Sequence, residues 1–144
     1  TKYFIDLPII SIVIPTVLRK YESKSLWGAT YMLLAYSLIV AVFSKDIAII
    51  SMIITSISDS FAALIGIYYG KIKLANNRTL EGTFTFFITS YILFFLVIES
   101  YNIFLMIFFS IILSMIELFT PTKYDNFTIP VTCSILFYLF KDML

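Results

Sequence analysis

Four carboxylates frame the chemistry this chain is able to do: Asp59, Glu81, Glu117 and Asp125. Asp59 stands near the middle of an apolar stretch, SISDSFAALIGIYYGK (residues 56–71). An aspartate at the centre of a membrane helix costs on the order of 2.5–3.5 kcal/mol on insertion scales, so it calls for a partner or a ligand. In helical register Ser56, Asp59, Ala62 or Ala63, Gly66 and Gly70 share one face, an acid followed by almost no side-chain bulk. One reading is a packing surface, because GIYYG is a G-x-x-x-G pair. The other is the wall of a cleft in which Asp59 meets a cation or a polar ligand.

A second polar stretch, GKIKLANNRTLEGT (residues 70–83), carries Lys71, Lys73, Arg78 and Glu81 and ends on Gly82–Thr83, where a helix is expected to begin. A helix N-terminus offers unpaired N–H groups that suit a phosphate, and the three cations supply formal charge. The alternative is a plain basic loop with Thr83 as a helix cap. The stretch is not a Walker A loop, since it lacks G-x-x-x-x-G-K-[ST]. In a third stretch, ELFTPTKYDNFTIPV (residues 117–131), Asp125 or Asn126 followed by Pro130 reads as an N-cap with proline in the first turn. Taken together, the four carboxylates, the cations and two helix N-termini form a set able to hold Mg²⁺ and a nucleoside triphosphate.

The elements that must position these residues are set by composition. Of 144 residues, 60% are hydrophobic and 13% charged, about half the charge of a soluble domain, and the mean hydropathy is +0.98. Apolar runs fall at residues 3–18, 26–43, 47–69, 83–98, 102–119 and 127–140. The expectation is an all-α, polytopic integral-membrane bundle of about six transmembrane segments forming a single domain over residues 1–144. Nothing alternates as a membrane barrel requires, and no signal peptide is read at the N-terminus. The loops after the first, third and fifth segments hold Arg19, Lys20, Lys24, Lys71, Lys73, Arg78 and Lys123, against Lys2, Lys45 and Lys141 on the other side. The positive-inside rule therefore places the polar stretches on the cytoplasmic face. With no histidine, His-based catalysis and His-ligated metals are excluded for this chain, and the single Cys133 forms no internal disulfide. No basic tract suited to nucleic acid occurs.

These stretches, in this order, resemble a family of integral-membrane lipid kinases: dolichol kinase, phytol kinase and the CTP-dependent diacylglycerol kinase, distantly similar to phosphatidate cytidylyltransferase. LWGATYMLL (residues 26–34) looks like the family's Gly-x-x-Tyr helix opening, and SDSFAALIGIYYGK like its D-x-x-A-x-x-x-G-x-x-x-G-K element. RTLEGT (residues 78–83) is similar to K-[ST]-x-E-G-[ST], and DNFTIPV (residues 125–131) to Asp-Asn-x-x-x-Pro. Arg78 replaces the family's lysine, and the family's earlier Arg-Lys-x-x-His motif has no counterpart. The chain is accordingly expected either to lack an N-terminal helix or to belong to a reduced branch.

The resemblance implies transfer of the γ-phosphate of CTP to the hydroxyl of a membrane lipid alcohol, with a divalent cation such as Mg²⁺, at the cytoplasmic face. It implies Asp59, Glu81 and Asp125 as catalytic residues and Asp59, Glu81, Glu117 and Asp125 as metal ligands. Gly66, Gly70, Lys71, Arg78, Gly82, Thr83 and Asn126 would hold the nucleotide. Two other readings stand beside it: cytidylyl transfer to a lipid phosphate, and a non-catalytic bundle or transporter subunit in which Asp59 pairs with a cation. The small-residue face of the third segment suits packing within the chain or between copies, leaving the oligomeric state open.

Overall fold

The structure, a computed structural model, describes residues 28–98 and 102–140. The expected first segment, residues 3–18, and the flanking cations Lys2, Arg19, Lys20, Lys24 and Lys141 lie outside the described residues. Those described form five α-helices and no strand: α1 (Gly28–Val42), α2 (Lys45–Tyr69), α3 (Leu80–Val97), α4 (Ile103–Phe119) and α5 (Asp125–Phe140). A single 3-10 turn, Ala75–Asn77, lies between α2 and α3. Helix satisfies every backbone group within its own segment, which is what runs this apolar demand.

Two helices, α2 and α3, are long and apolar enough to cross a membrane. Only 33% and 22% of their most apolar windows are buried within the protein, so most of that apolar surface looks outward. The other three are shorter apolar helices of 15, 17 and 16 residues.

The most extensive packing joins α2 to α3, followed by α3 to α4, while α5 lies against α1, α2 and α4. Phe86 and Phe94 of α3, Phe109 and Leu113 of α4, and Cys133 and Phe137 of α5 form the buried centre. Aromatic rings interlock there: Phe94, Phe109 and Phe137 meet pairwise with centroids 5.5–5.9 Å apart. Such tilted and edge-on pairs contribute beyond the area they bury.

Small residues set the α2–α3 spacing. A Cβ on Gly82 would stand 3.0 Å from the Ala62 carbonyl oxygen and 3.4 Å from Gly66 Cα, so the two backbones approach more closely than a side chain permits. The packing reading of the small-residue face thus holds at Gly66. At Gly70 a Cβ would run into the Gly66 carbonyl oxygen and also meet the Thr79 side chain at 2.6 Å, so that glycine clears its own helix end as well as the cap of the next helix.

The connection from α2 to α3 is a short hairpin. Leu74 N–H donates to the Arg78 carbonyl at 2.7 Å and Leu80 N–H to the Ile72 carbonyl at 2.9 Å. Asn76 and Asn77 turn the chain with φ of 53° and 62°, left-handed values that asparagine tolerates better than most residues. The Asn76 amide donates to the Leu118 and Phe119 carbonyls at 3.2 and 2.9 Å, closing the exposed C-terminal carbonyls of α4. This contact ties the hairpin to the end of the bundle where α5 begins.

Candidate polar site at one end of the bundle

Helix starts bring the polar residues together, and they differ from the sequence expectation at two points. Helix α3 begins at Leu80, three residues before the expected Thr83, because Thr79 caps it: Gly82 N–H donates to Thr79 Oγ1 at 3.2 Å. Thr83 N–H donates to the Thr79 carbonyl at 2.9 Å. The amides of Gly82 and Thr83, expected to hold phosphate, are therefore already engaged by the cap. Helix α5 begins at Asp125, so Pro130 lies within the helix and not in its first turn. Its missing N–H removes the donor that would reach the Asn126 carbonyl. Asp125 Oδ1 accepts from Asn126 N–H at 2.7 Å.

Arg78, just before the α3 cap, is the centre of the site. Its Nη1 lies 3.0 Å from Glu117 Oε1 at the end of α4, and its Nη2 pairs with Asp125 Oδ2 at the start of α5. All three side chains are nearly buried, at 11%, 1% and 5% exposure. Thr83 Oγ1 donates to the second Glu117 oxygen at 3.0 Å. One guanidinium thus joins three helices through its fork, geometry that an ammonium does not offer. Its Nε–H is buried and finds no hydrogen-bond partner. Leaving such a donor unsatisfied costs about 1–3 kcal/mol.

Two cavities flank this group. One, of about 310 Å³, is lined by Gly66, Arg78, Gly82, Thr83 and Glu117 together with Asn77, Thr79 and Thr122. The other, of about 180 Å³, is lined by Asp59, Ser56, Ser60, Tyr36, Asp125, Asn126 and Pro130. The Tyr36 hydroxyl pairs with that of Ser56 on its wall. The face of α2 that the sequence reads as continuous is therefore divided: Ser56 and Asp59 face the smaller cavity, while Gly66 faces the larger. Asp125 connects them, bordering the Asp59 cavity while it holds Arg78.

Glu81 does not join the other carboxylates. Both its oxygens lie 3.4 Å from the Ile72 N–H, with the exposed Lys71 nearby. The expected convergence of four carboxylates on one metal is thus not what the helices produce. Among the described residues no group of three or more His, Cys, Asp or Glu is placed to hold a metal ion. Glu117 and Asp125 turn their oxygens to Arg78, and this donor set does not fit a divalent cation without moving the guanidinium.

Sequence reasoning singled out Arg78, Glu117 and Asp125 but assigned Arg78 to phosphate, missing that its partners are the two carboxylates. It also missed Asn76, Thr79 and Tyr36. Thr79 carried a signal: a threonine followed two residues later by an acid, just ahead of an apolar run, is a cap pattern.

Comparison with known proteins adds one similarity. The chain is 39% identical over 66 residues to an uncharacterised protein of Rickettsia prowazekii, a match covering 46% of this chain and 32% of that protein. The chain thus spans about a third of the length of the curated relative it matches. Neither a family model nor a solved structure matches the chain.

Proposed function

We propose that the chain is a membrane-embedded lipid-alcohol kinase, transferring the γ-phosphoryl group of CTP to the hydroxyl of an isoprenoid alcohol or diacylglycerol at the cytoplasmic face. The observation that carries the reading is the buried Arg78 on the wall of a polar cavity, its Nε–H unpartnered, at the lysine-bearing end of an apolar bundle. The resemblance in ordered motifs supports it, because three of the four matched stretches contribute side chains to this end. The outward apolar surface of α2 and α3 supports a membrane setting, and about six spans are proposed from the six apolar runs of the sequence.

In this reading the lipid hydroxyl oxygen bonds to the γ-phosphorus, the bond to the β-phosphate oxygen breaks, and CDP leaves. The hydroxyl proton passes to a carboxylate, as in other kinases. Arg78 supplies positive charge beside the transferring group, with Nε–H as the donor not already committed to a carboxylate. A divalent cation, which the resemblance implies, finds no preformed cage here, and no step is routed through it.

A non-catalytic bundle is the second reading. It is favoured by the internal pairing of Arg78 with Glu117 and Asp125 and by the packing use of Gly66 and Gly82. The deciding experiment offers the purified protein, in mixed micelles with Mg²⁺, polyprenol, phytol, diacylglycerol and phosphatidic acid, with CTP labelled at the γ- or the α-phosphate. The expected result is γ-label on an alcohol, lost in Asp59→Asn while the fold is retained. α-Label on phosphatidic acid would make the chain a cytidylyltransferase. Absence of nucleotide binding would leave the packing reading.

A further inference from the structure

Beside the cavity that contains Arg78 lies a third concavity, of about 310 Å³, open along the side of the bundle between α3 and α4. Leu80, Phe84 and Phe87 of α3 and Ile111 and Ser114 of α4 line it, and so does Thr83. Phe84 and Phe87 stack with centroids 6.3 Å apart to form one wall, while Leu80, Phe84 and Ile111 are exposed along the rim. Ser114 adds no free polar group, because its hydroxyl donates to the Ile111 carbonyl at 2.9 Å. Apart from Thr83, the groove is thus apolar in character.

Thr83 joins the two concavities. It lines both the apolar groove and the polar cavity that contains Arg78, and its hydroxyl donates to Glu117. An apolar trough that meets a buried ionic group at one threonine is shaped for an amphiphile with a long hydrocarbon chain and a small polar head. A choline or other bulky charged headgroup would meet Arg78 in a cavity of limited size. A lone hydroxyl would exchange hydrogen bonds with Thr83 and Glu117.

We infer that the α3–α4 groove is the acceptor site, holding the first carbons of a long-chain lipid alcohol laterally from the bilayer with its hydroxyl at Thr83. This deepens the lipid-alcohol reading and rests on it for the identity of the ligand as an acceptor. The chain at this site is specified by chemistry alone: unbranched or isoprenoid hydrocarbon, terminating in a hydroxyl.

The test is photolabelling of the full chain in phosphatidylcholine vesicles, followed by mass spectrometric mapping. The probe is a long-chain primary alcohol bearing a diazirine within a few carbons of its hydroxyl. The comparison probe is a phosphatidylcholine with the same diazirine. The alcohol is expected to mark residues 80–87 and 111–114, in competition with unlabelled alcohol. Ile111→Trp, which fills the groove from its rim, should lower this labelling several-fold. Leu96→Trp, on exposed α3 surface about two and a half turns beyond Phe87, should leave it unchanged. Thr83→Val should also lower it, by removing the polar end. Identical maps from the two probes, or equal loss in the Ile111 and Leu96 variants, would overturn the site. Phosphate transfer in the CTP assay without groove labelling would remove this site and leave the kinase reading standing. Groove labelling without phosphate transfer would leave an alcohol-binding groove but overturn its role as an acceptor site, together with the kinase reading.

Discussion

Arg78 illustrates how much one side chain can hold when it is buried with opposite charges. Its two terminal nitrogens reach carboxylates on two helices other than the one it precedes, and all three groups are largely withdrawn from solvent. Such a group contributes little relative to apolar residues packed in its place, because desolvation offsets the attraction. Breaking it is another matter, since Glu117 and Asp125 would then stay buried without the positive charge that Arg78 supplies. Arg78→Gln is expected to destabilise the fold by about 3–5 kcal/mol, read as a lower thermal unfolding midpoint in detergent. Arg78→Lys should recover only part of this, because one ammonium does not reproduce the fork. Replacing Arg78, Glu117 and Asp125 together with apolar residues should cost less than Arg78→Gln alone. If the single variant proves as stable as the parent, the ion group is not holding these helices. The sequence marks all three residues as out of place in an apolar chain. It does not tell which charges neutralise which, because that depends on how the ends of α4 and α5 meet the α2–α3 hairpin.

At the scale of the helices, glycine decides how closely α2 and α3 pack. The site depends on that spacing, because Gly66, Gly82 and the Thr79 cap lie between the helices and also line the Arg78 cavity. Gly82→Ala would place a methyl 3.0 Å from the Ala62 carbonyl oxygen and 3.1 Å from Thr79 Oγ1, so the helices must part or the cap must shift. Overpacking of this kind typically costs about 1–3 kcal/mol. The expected outcome is a lower unfolding midpoint, together with faster amide exchange at residues 80–83. Adding Ala62→Gly should not rescue it, because the obstacle is the Ala62 backbone oxygen and not its methyl. Full rescue would show that the helices are kept apart by side chains. Five apolar helices are legible from composition and run length, and α1, α2, α4 and α5 fall within about two residues of their expected bounds. The start of α3 does not, for a local reason. Apolar periodicity begins where residues become lipid- or core-facing, whereas a helix begins where its first amides are capped. At Thr79 the cap precedes the apolar run by several residues, and this moves Gly82 and Thr83 from the expected helix end into its first turn.

For the whole molecule, the decisive feature is the uneven placement of charge along α2. Lys45 opens this helix and Lys71 and Lys73 follow it, with Arg78 and Lys123 at the same end as the second pair. At about 1.5 Å per residue the 25 residues of α2 span roughly 37 Å, more than the hydrocarbon thickness of a bilayer. A crossing helix would therefore put Lys45 and Lys73 on opposite sides, with Lys73 in the cytoplasm. Both residues are exposed, and the one native thiol, Cys133, is buried and should not react. A membrane-impermeant maleimide added to intact cells is expected to label Lys45→Cys and spare Lys73→Cys, and to label both once the membrane is opened. The unsubstituted chain should remain unlabelled throughout. Labelling of both variants in intact cells would mean that α2 does not cross. The reversed pattern would place the Arg78 cavity outside the cell, away from cytosolic nucleoside triphosphate. In that case the same apolar helices and the same buried ion group would have to be explained without CTP.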